Sequence, residues 1–400
     1  MRSSHMLPSF YPRTGAAESG AITLAVSLAI LVLSTLVTFN VTRAVLMEQR
    51  ISNNEVRAKQ AFEAAEAGMT HAFTYFTDDP DRNNDGVVDP VFDTNGDGVG
   101  DTNTMAIGNA SVTVSVTNVS SNMTRMRIVS QGFSDDRSAT RTISQNLVTL
   151  SALPNVPGNP IIARGAVVIS GSATVHNQEG HSTIWSGGDV DLGSNNSTST
   201  EVPDMTSPSY PACMDIPGTC PLAQASSRTL AGVDVIENDS SLGALTATEF
   251  FQNFFGMSPQ RYRETMVTID VAGASAPDAI HLAKNEVIWV EGNLALNGRT
   301  MGCTTAVTGN NICPVANRRP SILIVNGNMT MNGTPHFYGL VFVMGNAVNS
   351  GNVTMHGAAV IGGTANSSGG SFDIWYNSSI LAGAGRAGIS AGSAGTWKDF

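Results

Sequence analysis

Near its start the chain reads Glu18-Ser-Gly-Ala-Ile-Thr-Leu-Ala-Val-Ser-Leu-Ala-Ile-Leu-Val-Leu-Ser-Thr-Leu-Val-Thr-Phe-Asn-Val-Thr42, and from Ala21 to Thr42 there is no charge, no proline and no further glycine. A bilayer core is crossed by roughly 20 helical residues, so this segment is long enough to span one. A secretory signal would have a shorter apolar region and a small-residue cleavage site, after which the chain would change character. Here the helical pattern continues past Arg43. Phe62, Ala65, Met69, Phe73 and Phe76 step by three or four along one face, with Arg57, Glu63 and Glu66 off it. The spacing predicts a single helix from Ala21 to Phe76, membrane-apolar first and amphipathic afterwards, about 80 Å long.

Three features sit on that helix: Gly20 directly before the apolar run, Asn53-Asn-Glu55, and Ala61-Phe-Glu-Ala-Ala-Glu-Ala-Gly68. Together they resemble the N-terminal region of PilX-type minor pilins of type IV pili. The resemblance implies a prepilin leader over residues 1–20, cut between Gly20 and Ala21, and helix packing against other minor and major pilins. It also implies residence in the inner membrane before assembly and in an extracellular filament afterwards. Arg2 and Arg13 precede the span, which places the N-terminus in the cytoplasm. Most major pilins carry Glu as the fifth residue of the mature chain, whereas this chain has Ala25. Several minor pilins share that departure, as does the K-type pseudopilin of type II secretion systems, which sits at a filament tip. The plainer alternative is a one-span anchor for an outside domain.

At 400 residues the chain is long enough for two or three units with their own cores. Its net charge is −11, with 13% charged residues and 40 glycines, which provides no electrostatic footprint for nucleic acid. Four cysteines form two close pairs, Cys213 with Cys220 and Cys303 with Cys313. Three connectivities are possible, and local spacing favours two loop-closing disulfides in an oxidising compartment. A zinc site would want Cys-x-x-Cys spacing or nearby histidine, and neither is present.

After an acidic stretch, residues 105–150 alternate at the period of half-buried strands, with Val112, Val114 and Val116, then Met126 and Ile128, then Ile143 to Val148. Residues 21–150 are expected to form a pilin module, in which an antiparallel β-meander covers the amphipathic half of the helix. Pro154, Pro157, Gly158 and Pro160 mark a linker over 151–160. Beyond it an internal repeat sets in. Ile324-Val-Asn-Gly-Asn-Met-Thr-Met-Asn-Gly333 is echoed from Val343 to Gly351 and from Ile288 to Gly298, and Gly327/Gly345, Gly333/Gly351, Gly339/Gly357 and Gly351/Gly369 are steps of 18. A fixed period with apolar alternation predicts a parallel β-solenoid over 161–400, with glycines at corners that need positive φ. A β-sandwich with glycine-rich turns is the alternative. Residues 194–273 break the rhythm and are expected to be a helical and loop insertion. It holds a capping box, Thr246-Ala-Thr-Glu249, followed by Phe250, Phe251, Phe254 and Phe255, which suits a helix capping an end or flank of the solenoid. The fold class expected is α+β.

Asp81-Arg-Asn-Asn-Asp-Gly-Val-Val-Asp89 and Asp93-Thr-Asn-Gly-Asp-Gly-Val-Gly-Asp101 are two copies of D-x-N-x-D-G-x-x-D, 12 residues apart. Calcium is a hard cation that takes six to eight oxygens, and an EF-hand-like loop supplies them from positions 1, 3, 5, 7 and 9. Those places are filled by Asp81, Asn83, Asp85, the Val87 carbonyl and Asp89, and by Asp93, Asn95, Asp97, the Val99 carbonyl and Asp101. Neither copy has Glu at position 12, so a carboxylate from elsewhere or water completes the shell. The spacing resembles dockerin and thrombospondin type 3 loops, and calcium is the expected cofactor. A solvated acidic turn is the alternative.

No catalytic residue is assigned. Gly383-Ala-Gly-Arg-Ala-Gly388 and Gly388-Ile-Ser-Ala-Gly392 match a dinucleotide fingerprint and a nucleophile elbow only as strings, without the strand-turn-helix context either needs. His336 and His356 read as ordinary residues near solenoid turns. The repeat offers Glu286, Glu291 and Asp373 at dissimilar places, unlike the clustered carboxylates of a glycan-cleaving enzyme. The expected function is that of a non-enzymatic minor pilin in or at the tip of a type IV pilus, acting in assembly, priming or adhesion, with a pilus-tip adhesin or surface ligand as a further partner. The alternatives are a K-type pseudopilin and a membrane-anchored glycan-binding or glycan-cleaving β-helix protein.

Overall fold

The computed structural model describes residues 18–78, 80–82, 87–96, 99–120, 125–193, 197–210, 212–215, 219–230, 232–309, 311–367, 369–387 and 390–399. Helix α1 spans Glu18–Asp78 without interruption. Strands β1 (Thr104–Ile107), β2 (Ala110–Thr117), β3 (Arg125–Phe133) and β4 (Thr140–Thr149) form an antiparallel meander in chain order. Their inward residues Val112, Val114, Met126, Ile128, Ile143 and Leu147 pack on Ala65, Met69, Ala72 and Phe76 of the helix.

The alanine-glutamate run explains how closely the two layers meet. Ala61, Ala64 and Ala65 are buried while Glu63 and Glu66 face solvent. Buried Ser130 donates its hydroxyl to the Ala65 carbonyl at 2.7 Å. A β-carbon on Gly132 would lie 2.0 Å from the Ala61 carbonyl oxygen, so the sheet needs glycine at that contact.

The second domain is a coil of parallel strands. In chain order it contains β5 (Ile161–Ala163), β6 (Val167–Ile169), β7 (Ser172–His176), β8 (Ile184–Ser186), β9 (Val190–Asp191), β10 (Ser199–Pro203), β11 (Leu222–Ser227) and β12 (Val235–Ile236). Helices α2 (Ser240–Gly243), α3 (Ala247–Phe255) and α4 (Pro259–Thr265) follow, then β13 (Ile269–Ala272) and α5 (Ala276–Ile280). Next come β14 (Val287–Glu291), β15 (Leu294–Asn297), β16 (Thr300–Met301), β17 (Ser321–Asn326), β18 (Met329–Asn332), β19 (His336–Val343), β20 (Ala347–Asn349), β21 (Val353–Ile361), β22 (Ala365–Ser367), β23 (Ser371–Trp375) and α6 (Ser378–Gly385).

Strands β19 and β21 bend at Gly339 (φ +131°) and Gly357 (φ +135°), so each contributes to two faces. One face stacks β13, β14, β17, the ends of β19 and β21, β5, β8 and β12. A second stacks β15, β18, β20, β22, β6 and β9. The third stacks β16, the starts of β19 and β21, β23, β7 and β10. Register steps of 18 recur, as in Ser321↔Gly339↔Gly357 and Ala347↔Ala365. At the corner between the first two faces, the Asn328 side chain accepts from Asn346 N–H and the Asn346 side chain from Thr364 N–H, each at 2.8 Å. Not every corner glycine acts through positive φ. Gly345 and Gly351 are required because a β-carbon would meet the preceding turn at 2.4 Å. The glycine stacked on Gly351 is Gly370 rather than Gly369, since one extra residue enters that turn.

The order of turns in space differs from their order in sequence. The chain enters the coil at β5, winds outward to β12, runs back outside through α2–α4, and restarts at the opposite end with β13. It then winds until Ala359–Ile361 in β21 pairs with Ile161–Ala163 in β5. The expected insertion over 194–273 is therefore corrected: β10, β12 and β13 all pair in parallel within the coil, and the helices between them form the return path. The expected 151–160 linker is likewise packed, with Ala152 and Leu153 buried and the Ala152 carbonyl accepting from Tyr262 Oη at 2.7 Å. The expected C-terminal limit at 400 also shifts, because β24 (Ser390–Gly392) and β25 (Lys398–Asp399) pair antiparallel with β4 in the helix-covering sheet.

The return helices explain the continuous apolar runs Ile322-Leu-Ile-Val325 and Leu340-Val-Phe-Val343, since strands buried on both faces lose their alternation. Leu323, Val325, Val341 and Val343 point into the coil. Ile322, Ile324, Leu340 and Phe342 point out against Phe250, Phe251, Phe254 and Phe255 of α3 and Leu381 of α6. The predicted capping box is present, with Thr246 and Glu249 each bonded to the other's backbone N–H. The helix closes at Gly256 with φ +69°.

Candidate functional site

Among the described residues, the first half of α1 packs against nothing else in the chain. Ile22, Leu24, Leu28, Leu33 and Phe39 are each more than 60% exposed, with Leu24 at 73%, and this is the one described helix long and apolar enough to cross a membrane. Its polar side chains are turned inward on the helix itself. Ser27, Ser34, Thr35, Thr38, Asn40 and Thr42 each donate to a carbonyl three or four residues earlier, at 2.7 to 2.9 Å. From Ala21 to Thr42 a helix so satisfied presents a mainly apolar, uncharged surface, which suits lipid or a bundle of like helices. Gly20 and Ala21 lie inside α1. Ala25 leaves this surface without a carboxylate.

The acidic stretch forms two loops with the same internal plan. Asp89 N–H donates to the Pro80 carbonyl and Asp101 N–H to the Phe92 carbonyl, both at 2.9 Å. The Asp89 carboxylate accepts from Arg82 N–H at 2.6 Å, and the Asp101 carboxylate from Thr94 N–H at 3.0 Å. Each bond in the second loop lies 12 residues after its counterpart, matching the sequence repeat. In the second loop Asp93 also accepts from Asn95 and Gly96 N–H, and Asp101 from the Asn95 side chain. The Thr94 hydroxyl and amide hold the Asp101 carboxyl below the usual carboxylate range, so it is anionic at neutral pH. Positions 1, 3 and 9 of that loop thus converge with oxygen-bearing side chains, a donor chemistry that fits a hard cation. Val87 and Val99 lie on the same loops, while Asn83, Asp85 and Asp97 fall outside the described residues. Among the described residues no three His, Cys, Asp or Glu side chains are grouped to hold a metal.

The first loop is wedged between the two domains, a position that sequence spacing did not reveal. Asp81 is 1% exposed and lies 3.4 Å from the Arg386 guanidinium just beyond α6. Buried Arg319, preceding β17, donates to the Arg82 carbonyl at 3.0 Å. The Arg82 guanidinium lies 4.0 Å over the Tyr75 ring at the end of α1, and the Tyr75 hydroxyl accepts from Gly100 N–H at 2.7 Å. Loop, stalk and coil therefore meet at one junction.

Both cysteine pairs form the local disulfides their spacing suggested, Cys213–Cys220 and Cys303–Cys313. The second closes a loop over the third face of the coil, where the Tyr338 hydroxyl accepts from Cys313 N–H at 2.7 Å. Below it His356 stacks on Tyr338 with centroids 4.9 Å apart. Burial, with Arg318 nearby, pushes the His356 imidazole down to about 4. His336 is 1% exposed, neither ring nitrogen has a hydrogen-bond partner among the described residues, and burial lowers its pKa too.

Farther along this face, His176 stacks on Trp375 at 3.8 Å, with Nδ1 2.7 Å from Glu201 and Nε2 3.0 Å from Asp373. Sequence reading missed this grouping, because His176 and Asp373 become neighbours only through the out-of-order stacking of β7 on β23. Glu291, by contrast, is engaged by Arg263 and Trp289 at the β13–β14 end, so Glu291 and Asp373 do not converge.

Residues 19–70 match the family model described as PilX N-terminal. Among solved structures, the competence-associated pilin ComZ from Thermus thermophilus is similar over 86% of this chain and 97% of its own, at 12% identity and a TM-score of 0.27. No curated protein matches.

Proposed function

We propose that this chain, whose N-terminal region is of the PilX type, is a minor pilin that enters a type IV filament by α1 and carries its β-solenoid outside the packed helices. The observation that carries this reading is the division of α1, whose first half is bare and apolar and whose second half is roofed by an antiparallel sheet. A filament built on a helical core needs that bare half for its neighbours, other minor and major pilins, and the inner membrane holds it beforehand. The coil is too bulky to repeat along a closely packed shaft, which favours a tip or sparse position, with a role in priming or surface contact. Ala25 fits a first subunit, which has no earlier subunit's N-terminal amine to pair with. Co-expression with a prepilin peptidase tests the entry step. The mature protein should begin at Ala21 by mass spectrometry, and a chain retaining residues 1–20 would contradict the reading.

Calcium is the second element of the proposal. The repeated plan of the two loops and the convergence of Asp93, Asn95 and Asp101 support a pair of calcium loops that stiffen the stalk–coil junction. Ligand in 100-fold excess over its Kd stabilises the folded state by about 2.7 kcal/mol. Full-length protein in detergent should melt higher with calcium than with chelator, and equal midpoints would contradict calcium binding.

A further inference from the structure

The third face of the coil carries an open cleft of about 490 Å³ that the filament reading does not use. It is built by register. Thr354 of β21 pairs with Asp373 of β23, Asp373 with Thr174 of β7, and Thr174 with Ser199 of β10. Two residues along each strand, on the same side of the sheet, a second row runs Tyr338, His356, Trp375, His176 and Glu201. Two residues the other way lie Ser371 and Ser172, with Asn352 holding Ser371 N–H at 3.0 Å. Adjacent strands are about 4.8 Å apart, so these rows offer hydroxyls, an amide and a carboxylate at regular intervals across successive turns. The aromatic row forms one wall. Its rings stack in two pairs, His356 on Tyr338 and His176 on Trp375, and Glu201 and Asp373 hold the two nitrogens of His176.

These groups retain bonding capacity. Among the described residues, the hydroxyls of Ser172, Thr174 and Thr354 make no hydrogen bond within the protein, and Asp373, whose Oδ1 lies 3.0 Å from His176 Nε2, keeps a side chain that is 43% exposed. Ser172 is exposed and Thr174 and Thr354 are half-buried, so their hydroxyls are open to water or to a ligand in the cleft. Among the described residues the lining contains no Lys or Arg, while Asp373 lies in it and Glu201 beside it. A polyanion is therefore disfavoured by charge.

We propose that this cleft binds a linear polysaccharide of uncharged sugars, laid across the turns so that successive hydroxyls meet the Thr174, Thr354 and Ser371 rows, with Asp373 accepting from the sugar. It deepens the surface-contact part of the proposed function but rests on the coil alone, so its failure is separable from failure of filament entry.

The test is fluorescence anisotropy of full-length protein in detergent with labelled chitohexaose, cellohexaose and hexagalacturonate. At least one of the first two should bind tenfold or more tighter than the polyanion. The double variant Thr174→Val and Thr354→Val should weaken that binding at least tenfold with unchanged melting, and Asn352→Ala, at an exposed position, should weaken it several-fold. Asp373→Asn should narrow the discrimination against hexagalacturonate. Absence of binding by both uncharged oligomers, equal binding of the polyanion, or parent-like binding by both the double variant and Asn352→Ala would overturn the proposal.

Discussion

In the helix–sheet module the partners lie far apart along the chain: Ser130 reaches back 65 residues to the Ala65 carbonyl, and β4 is edged by residues 390–399 from the far C-terminus. In the coil the typical partner is one turn away, as when Asn346 N–H donates to Asn328, 18 residues earlier. Yet the coil also contains the seam at which β21 meets β5, where Ala359 pairs with Ile161. A repeating structure is built from nearest-neighbour interfaces, so each turn is stabilised by the two it touches. The helix–sheet module instead has one core that forms together. The coil should therefore yield locally to damage while the module responds as a unit.

The largest test of this contrast is Phe251→Ala. Phe251 is fully buried between α3 and the first face, touching Phe255, Tyr262, Trp289 and Phe342. A buried Phe→Ala change costs about 3–5 kcal/mol. Hydrogen exchange should show β14, β17 and β19 losing protection while β2, β3 and β4 retain theirs. Uniform loss across both regions would show that the two domains unfold together.

Acid should separate the regions more gently. The His356 imidazole titrates at about 4 when folded against 6.5 for a free histidine. Between those values the unfolded chain binds the extra proton, so stability is full above about pH 6.5 and is lost as pH falls toward 4. At roughly 1.4 kcal/mol per pKa unit the loss is on the order of 3 kcal/mol. His356→Phe, which keeps a ring against Tyr338, should flatten the pH dependence of coil melting in that window. An unchanged profile would assign the acid sensitivity elsewhere.

The smallest effect belongs to Thr246→Ala, which removes the cap hydroxyl of α3. The expected cost is about 1 kcal/mol, confined to exchange at the start of that helix. Greater protection loss at β5 or β21 would mean that the return path holds the seam closed.

How much was legible in the sequence follows from the same contrast. The long helix, the alternating strands β2 to β4, the two matching acidic loops, the local disulfides and the capping box are all written in neighbouring residues. The 18-residue period shows wherever consecutive turns are consecutive in the chain, from β17 to β22. It fails across 161–273, because the first of those turns stacks on β21 and β23 from far along the chain, as in the pairing of Ile161 with Ala359, and the later turns step unevenly, as from Ile161 to Ile184 and from Ile184 to Val235. The same displacement hid His176, Glu201 and Asp373 as a group. It also hid β24 and β25, whose glycine-rich sequence carries no strand signal and which are strands only because β4 offers them an edge.

The central claim is that the bare half of α1 enters a filament while the coil stays outside it, at an end. Immunogold labelling of sheared filaments with antibody against the coil measures this directly. The account predicts gold at filament ends, and label restricted to the inner membrane would contradict it.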